Sequence, residues 1–101
     1  MTAKEFLVTL NVPPSIEEAI VDFLLTFESE HGFTSFQVSA HDHINQNLSI
    51  AEQVAGRQDQ LRFQMYIPEL ALPELLMKLK AEFSGSGIHY WVLPVIEHGH
   101  L

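Results

Sequence analysis

Alternating apolar and polar residues mark two strands of this chain, Glu5–Val12 and Gln58–Ile67. Period-two alternation of this kind is typical of strands with one buried face. The residues predicted to face the core are Phe6, Val8, Leu10 and Val12 in the first strand and Leu61, Phe63, Met65 and Ile67 in the other. A third segment, Ile88–Ile96, is apolar on both faces. This pattern predicts a strand that is covered on both sides.

Phe33–Ala40 is predicted to be another strand, because its side chains also alternate in polarity. Its expected core face consists of Thr34, Phe36, Val38 and Ala40. The polar residues Ser35, Gln37 and Ser39 are then expected to point away from the core, in a row that His41 and His43 continue.

Two further segments carry apolar residues at helical spacing. The first is predicted to begin at Ser15, which forms a capping box with Glu18, and to end near Gly32. Its apolar stripe consists of Ile16, Ile20, Phe23, Leu24 and Phe27. The second helix is predicted over Leu72–Phe83, where Pro73 is tolerated in the first turn.

The elements follow the order β-α-β-β-α-β, which predicts an α+β ferredoxin-like sandwich. Right-handed crossovers then place both helices on one face of a four-stranded antiparallel sheet. We expect a single domain over residues 1–101, with a long loop at 41–58 between the second and third strands. A loop of this length inside a compact domain is usually either functional or disordered.

The face of the sheet opposite the helices is predicted to be bare. The residues expected on it are Leu7, Thr9, Gln37, Gln64, Tyr66, Trp91 and Leu93. This set is too polar for a second core layer, yet its apolar patches are poorly suited to contact with water. A homo-oligomer that packs these faces together would explain the mixture.

Composition excludes several classes of function. The net charge is −8, with thirteen acidic residues against five basic ones, which opposes binding to nucleic acid or to anionic lipid. No apolar run approaches the roughly 20 residues that a membrane-spanning helix needs, so no direct membrane insertion is expected. The chain has no Cys and shows no secretory signal, and we therefore expect a cytoplasmic protein.

Histidine is abundant, with six residues in the chain. His41 and His43 are two positions apart, as are His98 and His100 near the end of the chain. On an extended backbone, two such imidazoles project to the same side, about 7 Å apart at Cα, and could chelate Zn, Cu or Ni together with a third ligand. Exposed polar side chains at a strand end and in a frayed tail are the alternative interpretation.

A candidate anion site consists of Gly56, Arg57, Gly85 and Gly87. An Arg at the base of a loop can hold a phosphate or a carboxylate, and backbone N–H groups of the Ser84–Gly87 turn can cradle an anion. The alternatives are salt bridges from Arg57 and Arg62 to acidic residues, and a merely flexible connection at the turn. Since no nucleophile or converging acid–base pair stands out, we expect that the protein is not an enzyme.

The chain resembles the PII-like superfamily, the trimeric ferredoxin-like signalling proteins sometimes called nitrogen regulatory proteins. Residues 11–20, NVPPSIEEAI, are similar to the segment by which PII passes from strand to helix. His41–Gln58 lies where PII has its T-loop, with Ala51–Gln58 as the return limb, and Ser84–Gly87 lies where PII has its phosphate-contacting B-loop. The chain is most similar to a PII-like family associated with heavy-metal efflux systems.

The resemblance implies a homotrimer that takes part in signal transduction through its T-loop, which would dock on a partner such as a heavy-metal membrane transporter. The loop at 41–58 contains no Tyr, so it lacks an acceptor for the uridylylation that some PII proteins undergo. Two alternatives stay open. One is a divalent metal-binding protein that resembles CutA, and the other is an adenine-nucleotide sensor with its site in the clefts between subunits.

Overall fold

The computed structural model describes residues 4–27, 32–41 and 58–101. Four strands and two helices follow one another along these residues. They are β1 (Glu5–Val12), α1 (Glu17–Thr26), β2 (Thr34–Ala40), β3 (Gln58–Pro68), α2 (Leu72–Phe83) and β4 (His89–Val95). Short 3-10 turns over Pro14–Ile16 and Glu69–Ala71 precede the two helices.

The strands form one sheet in the order β2-β3-β1-β4, and each neighbouring pair is antiparallel. The predicted ferredoxin-like arrangement is therefore confirmed. β1 lies inside the sheet, where it pairs with β3 from Glu5↔Pro68 to Val12↔Leu61. On its other side it pairs with β4 from Glu5↔Val95 to Asn11↔His89. The first strand of the chain thus fixes the positions of the third and fourth.

The core lies between the sheet and the two helices. Its buried apolar side chains come from β1 and β3 at alternate positions and from one stripe of each helix. They are Val8, Leu10, Val12, Ile20, Phe23, Leu24, Phe63, Met65, Ile67, Leu75 and Leu79. The rings of Phe23 and Phe83 meet edge to face at 5.5 Å and join the two helices. Burial of each large side chain contributes about 1.5–3 kcal/mol before ordering entropy is subtracted.

Helix α1 begins and ends differently from the sequence prediction. The prediction of a capping box formed by Ser15 and Glu18 is wrong, because Ile16 is the N-cap and no side chain caps the helix. Pro14 instead opens a 3-10 turn, in which the Ile16 N–H donates to the Pro13 carbonyl at 3.2 Å. Two successive prolines fix their φ angles and favour this turn. The helix ends at Thr26, well before Gly32. At its end, the Phe27 N–H donates a hydrogen bond to the Phe23 carbonyl.

The predicted facing of β2 is wrong by one residue. Ser35 pairs with the buried Phe63 and Phe36 pairs with Arg62, so the even-numbered residues of β2 point away from the helices. Phe33, just before the strand, takes the core position, and its ring lies 6.1 Å from that of Phe63. A shift of one residue moves every side chain of a strand to the other face. Thr34, Phe36, Val38 and Ala40 therefore lie on the side of the sheet opposite the core.

The buried stripe of α2 gives a direct test of the core. Leu75 is fully buried, whereas Met77 on the same helix is 63% exposed. We expect Leu75→Ala to lower the free energy of unfolding by about 2–5 kcal/mol, because it leaves a cavity. Met77→Ala, the matched control, should change it by less than about 0.5 kcal/mol. Urea denaturation at a fixed protein concentration measures both, and equal losses would contradict the assignment of this helix face.

Candidate functional site

The surface of the sheet opposite the helices is called the open face here. Direct cross-strand pairs define its residues, because paired residues lie on the same side of a sheet. They are Glu5, Leu7, Thr9 and Asn11 of β1, Thr34, Phe36, Val38 and Ala40 of β2, Gln58, Gln60, Arg62, Gln64, Tyr66 and Pro68 of β3, and His89, Trp91, Leu93 and Val95 of β4. The prediction for this face is confirmed except at Gln37, which lies on the helix side because it pairs with Leu61.

Arg62 lies near the middle of the open face and is held from three sides. Its Nε donates a hydrogen bond to Asn11 Oδ1 at 2.8 Å. Its guanidinium carbon is 5.2 Å from the centre of the Trp91 ring and 6.0 Å from that of Phe36. A guanidinium over an aromatic face makes a favourable cation–π contact. The salt bridge given above as the alternative role of Arg62 is not formed among the described residues, where Arg62 instead contacts an amide and two rings.

The open face also contains a buried polar residue near Arg62. Thr9 is fully buried although it lies on this face, and Gln64 Nε2 donates to its hydroxyl at 3.5 Å. Exposed apolar side chains surround this polar centre, among them Leu93 at 50% and Tyr66 at 40% exposure. The result is a surface of mixed polarity with a fixed positive charge at its middle.

Two of the predicted histidine ligands, His41 and His98, lie at opposite ends of the sheet. His41 directly follows Ala40, which pairs with Gln58 at the start of β3. The imidazole of His98 stacks on the Tyr66 ring at 6.0 Å, near the far end of the same strand. Gln58 and Tyr66 are eight residues apart, which is roughly 27 Å along a strand. One chain therefore does not bring His41 together with His98.

No group of three or more potential metal ligands occurs among the described residues. His100, like His98, is placed in the C-terminal tail, whereas His43 lies outside the residues that the structure describes. Metal binding by these four histidines stays a prediction. Within the described ranges, no helix is long and apolar enough to cross a membrane.

The Ser84–Gly87 turn lines a cleft with residues from two distant parts of the chain. The other lining residues are Pro13, Pro14 and Ser15 after β1, and Gln58, Asp59 and Gln60 at the start of β3. Gly85 and Gly87 have φ angles of +80° and +88°, a left-handed conformation that favours glycine. Gly56 and Arg57 lie outside the described residues, but Gln58 follows Arg57 directly in the chain. The structure thus places the turn beside the point where the Gly56–Arg57 segment joins the sheet.

A second cavity of about 190 Å³ lies on the other side of the same turn, between α2 and β4. Its walls are mainly apolar and include Leu79, Phe83 and Tyr90, with Lys80 as the charged lining residue. Gly85 and Gly87 border both this cavity and the cleft. An apolar pocket with a few polar or charged lining groups is typical of a small-molecule binding site.

A comparison with models of known protein families identifies the family of this chain. A family model described as a protein of unknown function, DUF3240, matches residues 2–101. The chain belongs to the DUF3240 family. No match was found among curated proteins.

Solved structures share the fold of this DUF3240 chain. A crystal structure of a DUF3240 protein from Shewanella baltica has 22% identity and a TM-score of 0.78, with 99% of each chain covered. PII from Arabidopsis thaliana bound to citrate has 14% identity and a TM-score of 0.65 over 92% of this chain and 78% of that one. CutA from Synechococcus elongatus has 14% identity and a TM-score of 0.61 over 94% and 80%. The PII-like fold is thereby confirmed.

Sequence reasoning missed the contacts of Arg62. Asn11, Phe36 and Trp91 come from three different strands, and all of them are far from Arg62 in the sequence. The strand order alone could have suggested the pairing with Asn11, since β1 and β3 are neighbours in this fold. The rings of Phe36 and Trp91 became visible only with the register of the strands.

The chain has a single Trp, so fluorescence can report on this contact. We expect Arg62→Ala to shift the Trp91 emission maximum, because the substitution removes the guanidinium from the indole face. Lys78→Ala is the matched control, since Lys78 lies 5.9 Å from the Phe27 ring on the helix side. An unchanged Trp91 spectrum in the Arg62 variant would contradict the stacked arrangement.

Proposed function

We propose that this DUF3240 chain is a non-enzymatic, cytoplasmic PII-like regulatory protein that acts as a homotrimer. In this proposal the open faces of the subunits meet at the centre of the assembly. The segment between β2 and β3 docks on a partner. The partner is a membrane transport system, and the resemblance noted above favours one for heavy metals.

The observation that carries the proposal is the exposure of apolar and aromatic side chains on the open face. Phe36, Tyr66 and Leu93 are 45%, 40% and 50% exposed in the single chain. A sheet in which one face covers the core and the other displays aromatic residues is typical of a protein that buries the second face in an interface.

The ends of the docking segment support its proposed role. Ala40 pairs with Gln58, so the segment leaves the sheet and returns to it at neighbouring positions. A long connection whose two ends are fixed by a rigid sheet is a common way to present a binding residue or segment. His41, the first residue of this connection, is exposed.

Light scattering coupled to size-exclusion chromatography tests the assembly. We expect the wild-type protein to elute with a mass close to three times 11.5 kDa at micromolar concentration. Leu93→Glu should shift the mass toward that of the monomer, because it places a charge within the proposed interface. A wild-type protein that elutes as a clean monomer would refute the trimer.

Leu70→Glu is the matched control for this experiment. Leu70 is 95% exposed and lies in the 3-10 turn before α2, away from the open face. The same substitution at this position should leave the mass unchanged. An equal loss of assembly in both variants would mean that the added charge, rather than the open face, is responsible.

A second candidate function is an adenine-nucleotide sensor, which the cleft at the Ser84–Gly87 turn favours. The turn brings backbone N–H groups close to the start of β3, and Arg57 immediately precedes that strand. The apolar cavity beside Phe83 and Tyr90 offers space for a base. Glycine-rich turns and Arg side chains are common ligands of phosphate groups.

A thermal-shift assay with ATP, ADP and AMP tests this site. We expect a rise in Tm with at least one nucleotide, since a ligand that binds only the folded state stabilises it. Gly85→Val should abolish the shift because it strains the turn. Gly32→Val is the control. Gly32 also has a positive φ, of 66°, but it lies just before the start of β2, whereas the other end of that strand pairs with Gln58 beside the cleft. A nucleotide shift that survives Gly85→Val but not Gly32→Val would contradict the assignment.

A further inference from the structure

The charges on the open face are few and far apart. Among its described residues, Glu5 is the only acidic one and Arg62 is the only Lys or Arg. The remaining members are apolar, amide, hydroxyl or imidazole side chains. In a chain with thirteen acidic residues and a net charge of −8, this face is almost free of acids.

Glu5 has an unsatisfied group. Its Oε2 atom is buried and accepts no hydrogen bond from the described part of the chain. Its direct neighbours across the sheet, Pro68 and Val95, offer no side-chain donor. A buried carboxylate oxygen without a partner is unfavourable, because it loses its hydration and gains no hydrogen bond in return. Glu5 as a whole is only partly buried, so its side chain can still be approached by a donor from outside the chain.

Arg62 cannot be that donor within the same chain. Arg62 lies opposite Asn11, and Asn11 is six residues from Glu5 along β1. That separation is roughly 20 Å in an antiparallel strand, which is more than two side chains can bridge. Arg62 is also held in place by Asn11 and by the Trp91 and Phe36 rings.

Burial of the open face would leave both charges without water. Arg62 has five N–H donors in a planar fork, and the hydrogen bond to Asn11 uses its Nε. A carboxylate is the group that matches this fork in two-pronged geometry. The acid that a second copy of this chain brings to such an interface is Glu5, because the open face carries no other among the described residues.

From this complementarity we propose that Glu5 of one subunit pairs with Arg62 of the next. The inference rests on the proposed assembly through the open face and names the contact that sets its geometry. Glu5 and Arg62 lie at different places on the open face, so the pairing is head to tail. In a closed ring, Arg62 of each subunit contacts Glu5 of one neighbour, and its Glu5 contacts Arg62 of the other neighbour. The pair fixes the rotation of each subunit relative to its neighbour.

Charge reversal tests the pairing. Glu5→Arg and Arg62→Glu each place like charges opposite one another, and we expect the dissociation constant of the assembly to rise at least about tenfold in each variant. The double variant Glu5→Arg with Arg62→Glu restores opposite charges and should recover much of the loss. Sedimentation velocity over a dilution series measures the constants, and circular dichroism confirms folding.

Glu74→Arg serves as the control for the change in net charge. Glu74 forms an exposed ion pair with Lys78 at 3.1 Å on α2, so its reversal should leave assembly unchanged. If a reversal variant does not fold, the neutral variants Glu5→Gln and Arg62→Gln take its place in the same cycle. Their effects should then be less than additive, because either one alone removes the pair.

The outcomes separate this inference from the proposal on which it rests. A wild-type protein that is monomeric at every concentration refutes both the assembly and the pairing. A wild-type trimer whose two reversals are simply additive refutes only the pairing. Recovery by the double variant, with no effect of Glu74→Arg, supports a contact between subunits, since the two residues are too far apart within one chain.

Discussion

The structure depends on β1 being hydrogen-bonded along both of its edges. Its neighbours β3 and β4 are aligned to it residue by residue, and the two helices cover the side that bears Val8, Leu10 and Val12. All three of these side chains are fully buried. Because successive residues of a strand point to opposite faces, the burial of these three fixes which residues of β1 lie on the open face. Because β3 and β4 are paired with β1 residue by residue, their side chains are assigned to the same two faces of the sheet.

The open face follows from this division. Leu7, Thr9 and Asn11 are held between the larger side chains of β3 and β4, and Thr9 becomes fully buried in the process. Arg62 is held in position by two contacts, a hydrogen bond to the Asn11 side chain of β1 and a cation–π contact with the Trp91 ring of β4. A cation that is stacked on aromatic rings keeps its charge while it loses part of its hydration. Such a group adds little to the stability of one chain but strongly affects which surface can cover it.

The sequence predicted the fold more completely than it predicted the candidate site. The bounds of β1 and α2 were predicted correctly, because a regular alternation and a helical stripe each allow one interpretation. β2 contains two competing aromatic residues, since Phe33 and Phe36 are three positions apart and point to opposite faces. Only the pairing with β3 decides that Phe33 packs on Phe63. The capping box failed for a local reason, because Pro13 and Pro14 impose a 3-10 turn ahead of the helix.

The candidate sites depended on information of longer range. The contact between Arg62 and Trp91 crosses an intervening strand, so it requires the strand order and two registers at once. The cleft at the Ser84–Gly87 turn requires the ends of β1 and β3 to lie beside the end of α2. The glycines of the turn could be identified from the sequence, whereas Asp59 and the Pro13–Ser15 segment could not. The histidine pairs were visible as a spacing, but their separation across the sheet was not.

One strand, β3, connects the two surfaces to which function has been attributed. Near its start, Asp59 and Leu61 lie on the helix side, while Gln60 and Arg62 lie on the open face. Gln58–Gln60 also line the cleft, and Gln58 ends the segment that we propose to dock on a partner. A slip of β3 by one residue would exchange its two faces and destroy both surfaces, so register change is too costly to carry a signal. In the proposed assembly, a link between the cleft and the open face would therefore require β3 to move as a rigid unit with β1.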